Sequence, residues 1–152
     1  MIIPDVNLLL YAYDSRSPFH TEASAWWQRC LSGTEPVGFA PVVVFGFMRI
    51  ATNPRAFRVP LTPGEAAQAV RSWLAQPVAL VLEPPVDHIE QVLTLLETVG
   101  TAGNLVTDAE IASLAILHNA ILHTADADFL RFSGLRWFNP VTGVGSGRLP
   151  SR

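Results

Sequence analysis

The sequence predicts an α/β fold: one domain with a central parallel sheet of four or five strands and helices on both faces. Short apolar segments alternate with segments of helical periodicity along the chain, a pattern typical of βαβ units. Residues 78–82 contain no polar side chain, as expected for a strand that is covered on both sides. The length of 152 residues suits one domain with a substantial hydrophobic core.

The elements of the first third follow from local start and stop signals. Ser17 and Pro18 have the form of an N-cap followed by proline at the first helical position, so a helix is expected to begin there. The predicted elements are strands at 2–4 and 37–39 and helices at 6–13, 17–31 and 41–52.

Two capping-box patterns predict helix starts farther along the chain. They are TPGE at residues 62–65 and TDAE at residues 107–110, in which the threonine and glutamate would satisfy each other's backbone N–H groups. The remaining predicted elements are helices at 62–75, 86–99, 108–118 and 126–132, and strands at 78–82, 121–123 and 135–138.

The end of the chain differs from the rest in composition. Four glycine or proline residues follow Pro140, at positions 143, 145, 147 and 150, and such segments at chain ends are commonly flexible. We therefore predict a domain at residues 1–140 and a flexible C-terminal tail at residues 141–152.

Composition narrows the function and the location. All ten basic residues are arginine, which excludes a Walker A loop, a Schiff-base lysine and a Ser-Lys dyad. No apolar run is long enough to span a membrane and no basic signal region opens the chain, so we expect a cytoplasmic protein. Hydrophobic residues make up 49% of the chain, so we expect that a partner or a second copy covers one face.

Three aspartates are expected to meet at one edge of the sheet. Asp5 follows the first strand, Asp126 follows the fourth, and Asp108 opens the helix that leads to the fourth strand. Ligands of parallel sheets bind beyond the carboxyl ends of the strands. Aspartate at a helix start is also a common cap; Asp108, however, lies in a box that Thr107 and Glu110 already cap, which favours a functional role for it.

Carboxylates that lie close together repel one another, so their pKa values rise unless a cation neutralises them. Ligands that are all oxygen select hard ions, Mg²⁺ or Mn²⁺, over zinc. The four histidines show no metal-ligand spacing, and we interpret them mainly as packing or surface residues, although His123 ends a strand near the expected site. The sequence therefore predicts a magnesium or manganese site.

At these positions the sequence resembles the PIN domain, and within it the VapC-type toxins of type II toxin–antitoxin pairs. The resemblance covers nearly the whole chain up to Pro140, and its motifs, in order, are reasonably specific together. They are DVNLLLY at 5–11, FMR at 47–49 with ATNPR at 51–55, TDA at 107–109 and TADADF at 124–129.

The resemblance implies a Mg²⁺-dependent endonuclease that cleaves RNA, is inhibited by a small cognate antitoxin and forms a homodimer. It matches Asp5, Asp108 and Asp126 to the family's catalytic, metal-holding acids. The supporting positions are Asn7, Thr124 and Asp128. In many relatives a glutamate precedes the arginine of the third helix by three residues, where this chain has Gly46, so that acid is missing or is supplied from elsewhere.

RNA affinity has to be local, because the net charge is −3 and the isoelectric point is about 5.7. Arg49, Arg55 and Arg58 follow one another without an intervening acid, and arginine binds phosphate through two parallel hydrogen bonds. An ordinary solvated loop explains them equally well. The Trp26-Trp27 pair could stack on bases, but its place on an amphipathic helix favours a core or dimer contact, and the dimer helices are expected near this pair and at residues 66–74.

Two other functions remain in view. One is a PIN-like module that no longer cleaves and that binds RNA or a protein, and Gly46 is its main support. The other is a flavodoxin-like receiver that is phosphorylated on aspartate, and the absence of lysine argues strongly against it.

Overall fold

The computed structural model describes residues 1–146, which form an α/β fold around one six-stranded sheet. The strands are β1 Ile2–Pro4, β2 Val37–Phe39, β3 Ala79–Val81, β4 Ile121–His123, β5 Trp137–Asn139 and β6 Val144–Gly145. The helices are α1 Val6–Tyr13, α2 His20–Ser32, α3 Pro41–Ala51, α4 Pro63–Leu74, α5 His88–Val99 and α6 Leu105–Leu117, with a 3₁₀ helix at Ala127–Arg131. The predicted class is confirmed.

The order of the strands places the carboxyl ends of β1 and β4 side by side at the centre of the sheet. The order is β3-β2-β1-β4-β5-β6, and every neighbouring pair is parallel except β5 with the short β6. The chain steps outward from β1 to β3 and then returns to the other side of β1, where Pro4 pairs with His123. Open α/β sheets bind ligands at such a switch point.

An aromatic cluster forms much of the core. Trp73 packs edge-on against Trp27, with ring centroids 5.5 Å apart, and its indole N–H donates to the Tyr13 hydroxyl at 2.8 Å. Trp26 and Trp27 are only 3% and 4% exposed. The predicted core role of this pair is confirmed, whereas base stacking or a dimer contact by these two side chains is wrong because they are buried within one chain.

Of the three helix starts that were predicted from capping signals, only the one at the first capping box is correct. At the start of α4, Thr62 Oγ1 accepts from the Glu65 backbone N–H at 3.2 Å and Glu65 Oε2 accepts from the Thr62 N–H at 2.7 Å. Helix α2 begins at His20 rather than near Ser17, because the Ser17 hydroxyl and carbonyl accept N–H groups within a preceding turn.

The second capping box is wrong. Helix α6 begins at Leu105 after Asn104, so Thr107 already lies within the first turn and cannot cap it. Asp108 is the fourth residue of α6 rather than the first.

The prediction that residues 78–82 are covered on both sides is also wrong. Strand β3 is an edge strand that pairs only with β2, and Val81 is 63% exposed. Further exposed apolar side chains lie in the following loop and on α5. We call these residues together the apolar flank, and they are Leu80, Val81, Val86, Ile89 and Leu93.

Part of the expected tail is ordered in the structure. Val144 pairs with Asn139 as β6, and the Ser146 hydroxyl accepts from the Trp137 N–H at 2.7 Å. Residues 147–152 of the predicted tail lie outside the described residues, and the division at residue 140 stays a prediction. Across residues 1–146, every helix is too short or too polar to cross a membrane.

Candidate active site

Four aspartates lie at the switch point between β1 and β4. Asp5 directly follows β1, Asp126 and Asp128 lie in and after the loop that leaves β4, and Asp108 projects from α6. Because β1 and β4 are parallel neighbours, their following loops leave the sheet at the same edge. The structure thus brings together residues that are more than a hundred positions apart in sequence.

Asp5 is the buried member of this group. Its residue is 3% exposed, its carboxylate accepts from the Thr124 hydroxyl at 2.8 Å, and its backbone N–H donates to the His123 carbonyl at 2.9 Å. Burial, followed by repulsion from Asp108 and Asp126, raises the pKa of Asp5 to about 7. The carboxylate is fixed in place, and its charge is unfavourable without a cation.

The other three aspartates form a cluster that ligands can reach, which we call the acid cluster. Asp108, Asp126 and Asp128 each offer one carboxylate oxygen within 4.8 Å of the others. Burial first, and then repulsion by Asp126 and Asp128, raises the pKa of Asp108 to about 6. Asp128, expected only as a supporting residue, therefore lies inside the cluster, whereas Asp5 stands beside it.

Thr124 links Asp5 to the acid cluster. Its hydroxyl donates to Asp5 and accepts from the Asp126 N–H at 2.9 Å. Asp126 in turn caps the 3₁₀ helix by accepting from the Asp128 N–H at 2.9 Å. Asn7 was matched to a residue that supports the first aspartate, but its amide instead donates to Asp126 at 3.5 Å.

A cleft of about 430 Å³ opens between α1, α3 and α6, and we call it the acid cleft. Its polar lining comprises Asp5, Asn7, Arg49, Asn104, Thr107 and Asp108. Arg49 is exposed and makes no ion pair within residues 1–146. Arg55 and Arg58 are exposed too, but they lie outside this lining. Of the three expected substrate-binding arginines, the structure thus places only Arg49 at the cleft.

Gly46 also lines the acid cleft, and it is buried against α1. A Cβ atom at this position would lie 3.0 Å from Val6 Cγ2, which is closer than ordinary van der Waals contact. The glycine therefore permits a close approach of α3 to α1 next to Asp5. No acid is contributed from this point of α3.

Two residues near the acids, Tyr11 and His123, were not among the predicted site residues. Tyr11 lies close enough to the acids that, after burial, the charges of Asp5 and Asp126 raise the pKa of its hydroxyl. The sequence feature that could have identified Tyr11 was its place in the first motif. His123 was left open. Its Nδ1 accepts from the Trp26 indole N–H at 2.9 Å, and burial lowers its pKa to about 4, so it is a neutral packing residue.

A second cleft lies beside Asp126, and we call it the apolar cleft. It measures about 280 Å³, and its lining comprises residues 124–127, Leu130, Trp137, Asn139, Thr142 and Val144. This cleft was not predicted, because four of its nine lining residues come from the β5–β6 hairpin, where only one strand and a tail were expected.

The donor set of the acid cluster fits a divalent cation. Its ligand atoms are all carboxylate oxygens, and oxygen ligands suit Mg²⁺ or Mn²⁺. Burial, and then repulsion among the aspartates, raises the pKa values of Asp5 and Asp108. The one ion pair of the acid cluster within residues 1–146 joins Arg131 to Asp128 at 3.7 Å on the exposed side of the cluster. A cation at this edge of the sheet would relieve that repulsion.

Comparison with known proteins gives consistent results. Residues 2–135 match the PIN domain. Ribonuclease VapC33 of Mycobacterium tuberculosis is 43% identical over 141 residues, which cover 93% of this chain and 99% of that protein. Ribonuclease VapC37 of the same organism is 42% identical, over 92% of this chain and 97% of that protein.

Solved structures share the fold at low sequence identity. VapBC2 from Rickettsia felis, bound to a DNA fragment from its promoter, matches with a TM-score of 0.65 and 18% identity over 90% of this chain and 97% of that chain. VapC20 of Mycobacterium tuberculosis, a toxin that cleaves the sarcin-ricin loop, matches with a TM-score of 0.65 and 17% identity over 89% of this chain and 98% of that chain.

Proposed function

The chain belongs to the PIN domain family, and from this premise we propose that it is a metal-dependent endoribonuclease that acts as the toxin of a toxin–antitoxin pair. Its identity of 43% to a ribonuclease extends over 93% of the chain. The observation that carries the proposal is the acid cluster, in which three carboxylate oxygens lie within 4.8 Å of one another next to the buried Asp5.

The proposed metal is Mg²⁺, with Mn²⁺ as an alternative. Asp5, Asp108 and Asp126 would hold it, with Asp128 beside them. A divalent ion at such a site lowers the pKa of bound water and polarises a phosphoryl oxygen, which are the two requirements of phosphodiester hydrolysis.

The chain's own residues prepare this site. The Thr124 hydroxyl holds Asp5 and orients the loop of Asp126, so two of the proposed ligands are fixed relative to each other before any ion binds. Arg49, which is free of ion pairs within residues 1–146, is positioned to bind a phosphate of the RNA. Arg55 and Arg58 would contact the RNA farther from the phosphodiester bond that is cleaved.

The test is cleavage of RNA by the purified full-length protein with Mg²⁺, with Mn²⁺ and with EDTA. Cleavage is expected with either ion and should stop on chelation. Arg49→Gln should raise KM, whereas Arg71→Gln, an exposed arginine on α4 outside the acid cleft, should not. Cleavage that persists in EDTA would contradict the metal-dependent mechanism.

A second candidate, a PIN-like module that binds RNA or protein without cleaving, is favoured by one observation. The family's acid on α3 is replaced by Gly46, and the structure brings no acid to that point. The same experiment separates the two, since such a module would bind RNA in the presence of EDTA and would not cut it with Mg²⁺.

The antitoxin is the proposed protein partner, and the cytoplasm, where RNA substrates are abundant, is the proposed location. Induction of the chain in a bacterial host should arrest growth. Co-expression with the product of a short adjacent gene should restore growth and yield a complex on purification. Growth that continues while the soluble protein accumulates would contradict a toxin.

A homodimer is proposed on the apolar flank, because Trp26 and Trp27 are buried and, in the other expected dimer helix at residues 66–74, Leu74 is the one exposed large hydrophobic side chain. Ile89 is 73% exposed there. Sedimentation velocity at micromolar concentration should give a dimer for the parent and a monomer for Ile89→Asp. Leu74→Asp, an exposed leucine outside the flank, should remain dimeric. A monomeric parent would rule the dimer out.

A further inference from the structure

We propose that the apolar cleft is a nucleobase subsite, which holds one base of the RNA strand next to the phosphate that is cut. This inference rests on the proposed nuclease function and specifies how the enzyme would choose its cleavage site. The acid cluster would act on the backbone, and the cleft would select the base beside it.

The position of the cleft supports this assignment. Asp126 belongs both to the acid cluster and to the lining of the apolar cleft, and Thr124 lines the cleft while bonding to Asp5. A phosphate at the acid cluster and a group in the apolar cleft would therefore be separated by a single side chain. Within a nucleotide, base and phosphate are joined by one sugar, so both places are within reach of one nucleotide.

The shape and apolar lining suit a flat ring system. The cleft measures about 280 Å³, close to the lower limit of roughly 300 Å³ for small-molecule pockets. Trp137 offers an aromatic ring, and Leu130 and Val144 stand 54% and 57% exposed at the same cleft. Bases stack on aromatic and apolar side chains whatever their sequence, so these exposed groups would be covered by a bound base.

Besides the Asp126 carboxylate, the lining offers two hydrogen-bond donors. Asn139 Oδ1 already accepts from the Val141 and Thr142 N–H groups at 2.9 and 3.3 Å, which leaves its NH₂ group. Within residues 1–146, neither this NH₂ nor the Trp137 indole N–H has a partner. Such donors match the carbonyl oxygens and ring nitrogens of a base edge.

The test combines substitution of the cleft with removal of the base. A short RNA that the parent cleaves at one bond is made in versions that lack either of the two bases flanking that bond. Trp137→Leu and Leu130→Gln are measured as kcat/KM on each RNA, and Leu74→Gln serves as a control outside both clefts. Melting curves report on folding, and Leu130→Gln, at an exposed position, covers the case that Trp137→Leu is destabilised.

The proposal predicts a loss that depends on one base. Stacking is worth about 1–3 kcal/mol per base, so Trp137→Leu should lower kcat/KM roughly 5- to 150-fold on the intact RNA, with a smaller loss for Leu130→Gln. Removal of one of the two flanking bases should lower the parent's kcat/KM similarly, and on that RNA the variants should equal the parent. Leu74→Gln should match the parent throughout.

Equal losses on intact and abasic RNA, or no loss in either variant, would overturn the subsite and leave the cleft to a protein partner. A parent that cleaves no RNA would instead overturn the proposed function. In that case, fluorescence anisotropy still decides the subsite, with a short labelled RNA and versions of it that lack one base at each position in turn. Tighter binding of the intact than of one abasic RNA, lost in Leu130→Gln, would support the subsite, and equal binding of all versions would refute it.

Discussion

Asp5 and the acid cluster occupy the same edge of the sheet but differ in burial and in accessibility. Asp5 is 3% exposed and its carboxylate accepts a hydrogen bond from Thr124. Its position is therefore rigid, and burial makes its negative charge unfavourable. Asp128 is exposed and Asp126 partly so, so their oxygens are accessible to an ion. Asp5 thus provides a rigid carboxylate and the acid cluster provides carboxylates that an ion can reach. Both are needed to account for a metal site.

The largest expected effect comes from removing the charge of the anchor. Asp5→Asn should lower RNA cleavage by more than about 100-fold, because loss of a ligand should exceed the 10- to 100-fold effect typical of outer-shell groups. The fold should stay intact, since the amide keeps the size of the side chain. RNA cleavage and circular dichroism test this, with Asp87→Asn, an exposed aspartate before α5, as control. Undiminished cleavage by the folded variant would remove Asp5 from the site.

A smaller loss is expected when the link between the two regions is cut. Thr124→Val removes the hydroxyl that bonds Asp5 and Asp126 but preserves the shape of the side chain. Cleavage should fall by about 10- to 100-fold, as for other groups that orient metal ligands. Thr98→Val, on the exposed face of α5, should behave as the parent does. If both variants cleave equally well, Asp5 does not depend on Thr124 for its position.

The burial of Asp5 should also make the stability of the metal-free protein depend on pH. The folded-state pKa of Asp5, about 7, lies above its ordinary value of 3.8, so between these values the folded protein binds more protons than the unfolded chain. Proton binding by Asp5 therefore stabilises the folded protein at low pH. Without metal, this stabilisation is lost as the pH rises from about 4 to about 7. Asp5→Asn lacks the penalty, and its Tm advantage over the parent in EDTA should grow from pH 5 to pH 8.

The prediction is stated as a Tm difference between Asp5→Asn and the parent because His123 has an opposite effect on stability, and this effect cancels in the difference. The folded-state pKa of His123, about 4, is below its ordinary value of 6.5, so stability is lost as the pH falls through that window. His123 is present in both proteins and cancels. A Tm difference that is constant between pH 5 and pH 8 would mean that Asp5 is not a strained acid.

The smallest expected effect concerns Gly46. Gly46→Glu should enlarge the Tm increase produced by Mg²⁺, because the position lines the acid cleft. Gly46→Ala is the matched control, since it shares the close contact with Val6 and the gain in helix propensity of about 1 kcal/mol but adds no charge. Melting curves with EDTA and with excess Mg²⁺ measure the shift. Equal shifts in the parent and both variants would show that this point of α3 does not contribute to the metal site.

The sequence predicted the class and the convergence of the acids, because both depend on strand ends and local order. Apolar runs locate strands, and parallel strands bring the loops after β1 and β4 to one edge. The capping box at Thr62 was reliable because the interaction is local. The box at Thr107 failed because the chain enters α6 three residues earlier, through the turn at residues 102–104.

What the sequence could not specify was the neighbourhood of each element. An apolar strand has the same sequence pattern in the centre of a sheet and at its edge. The exposure of β3 therefore depends on the strand order, which periodicity does not encode. Strand β6 has two residues and carries no periodic signal. The place of Asp128 within the acid cluster depends on the 3₁₀ turn that Asp126 caps, a geometry beyond motif spacing.

The central claim is that these aspartates bind a divalent ion, and calorimetric titration with Mn²⁺ tests it most directly. Parent protein and Asp87→Asn should bind the ion with equal affinity. Asp108→Asn should bind it at least about 10-fold more weakly, since it removes a ligand and not merely a group that orients one. Equal Mn²⁺ affinity in Asp108→Asn and the parent, or no binding to the parent, would contradict the account.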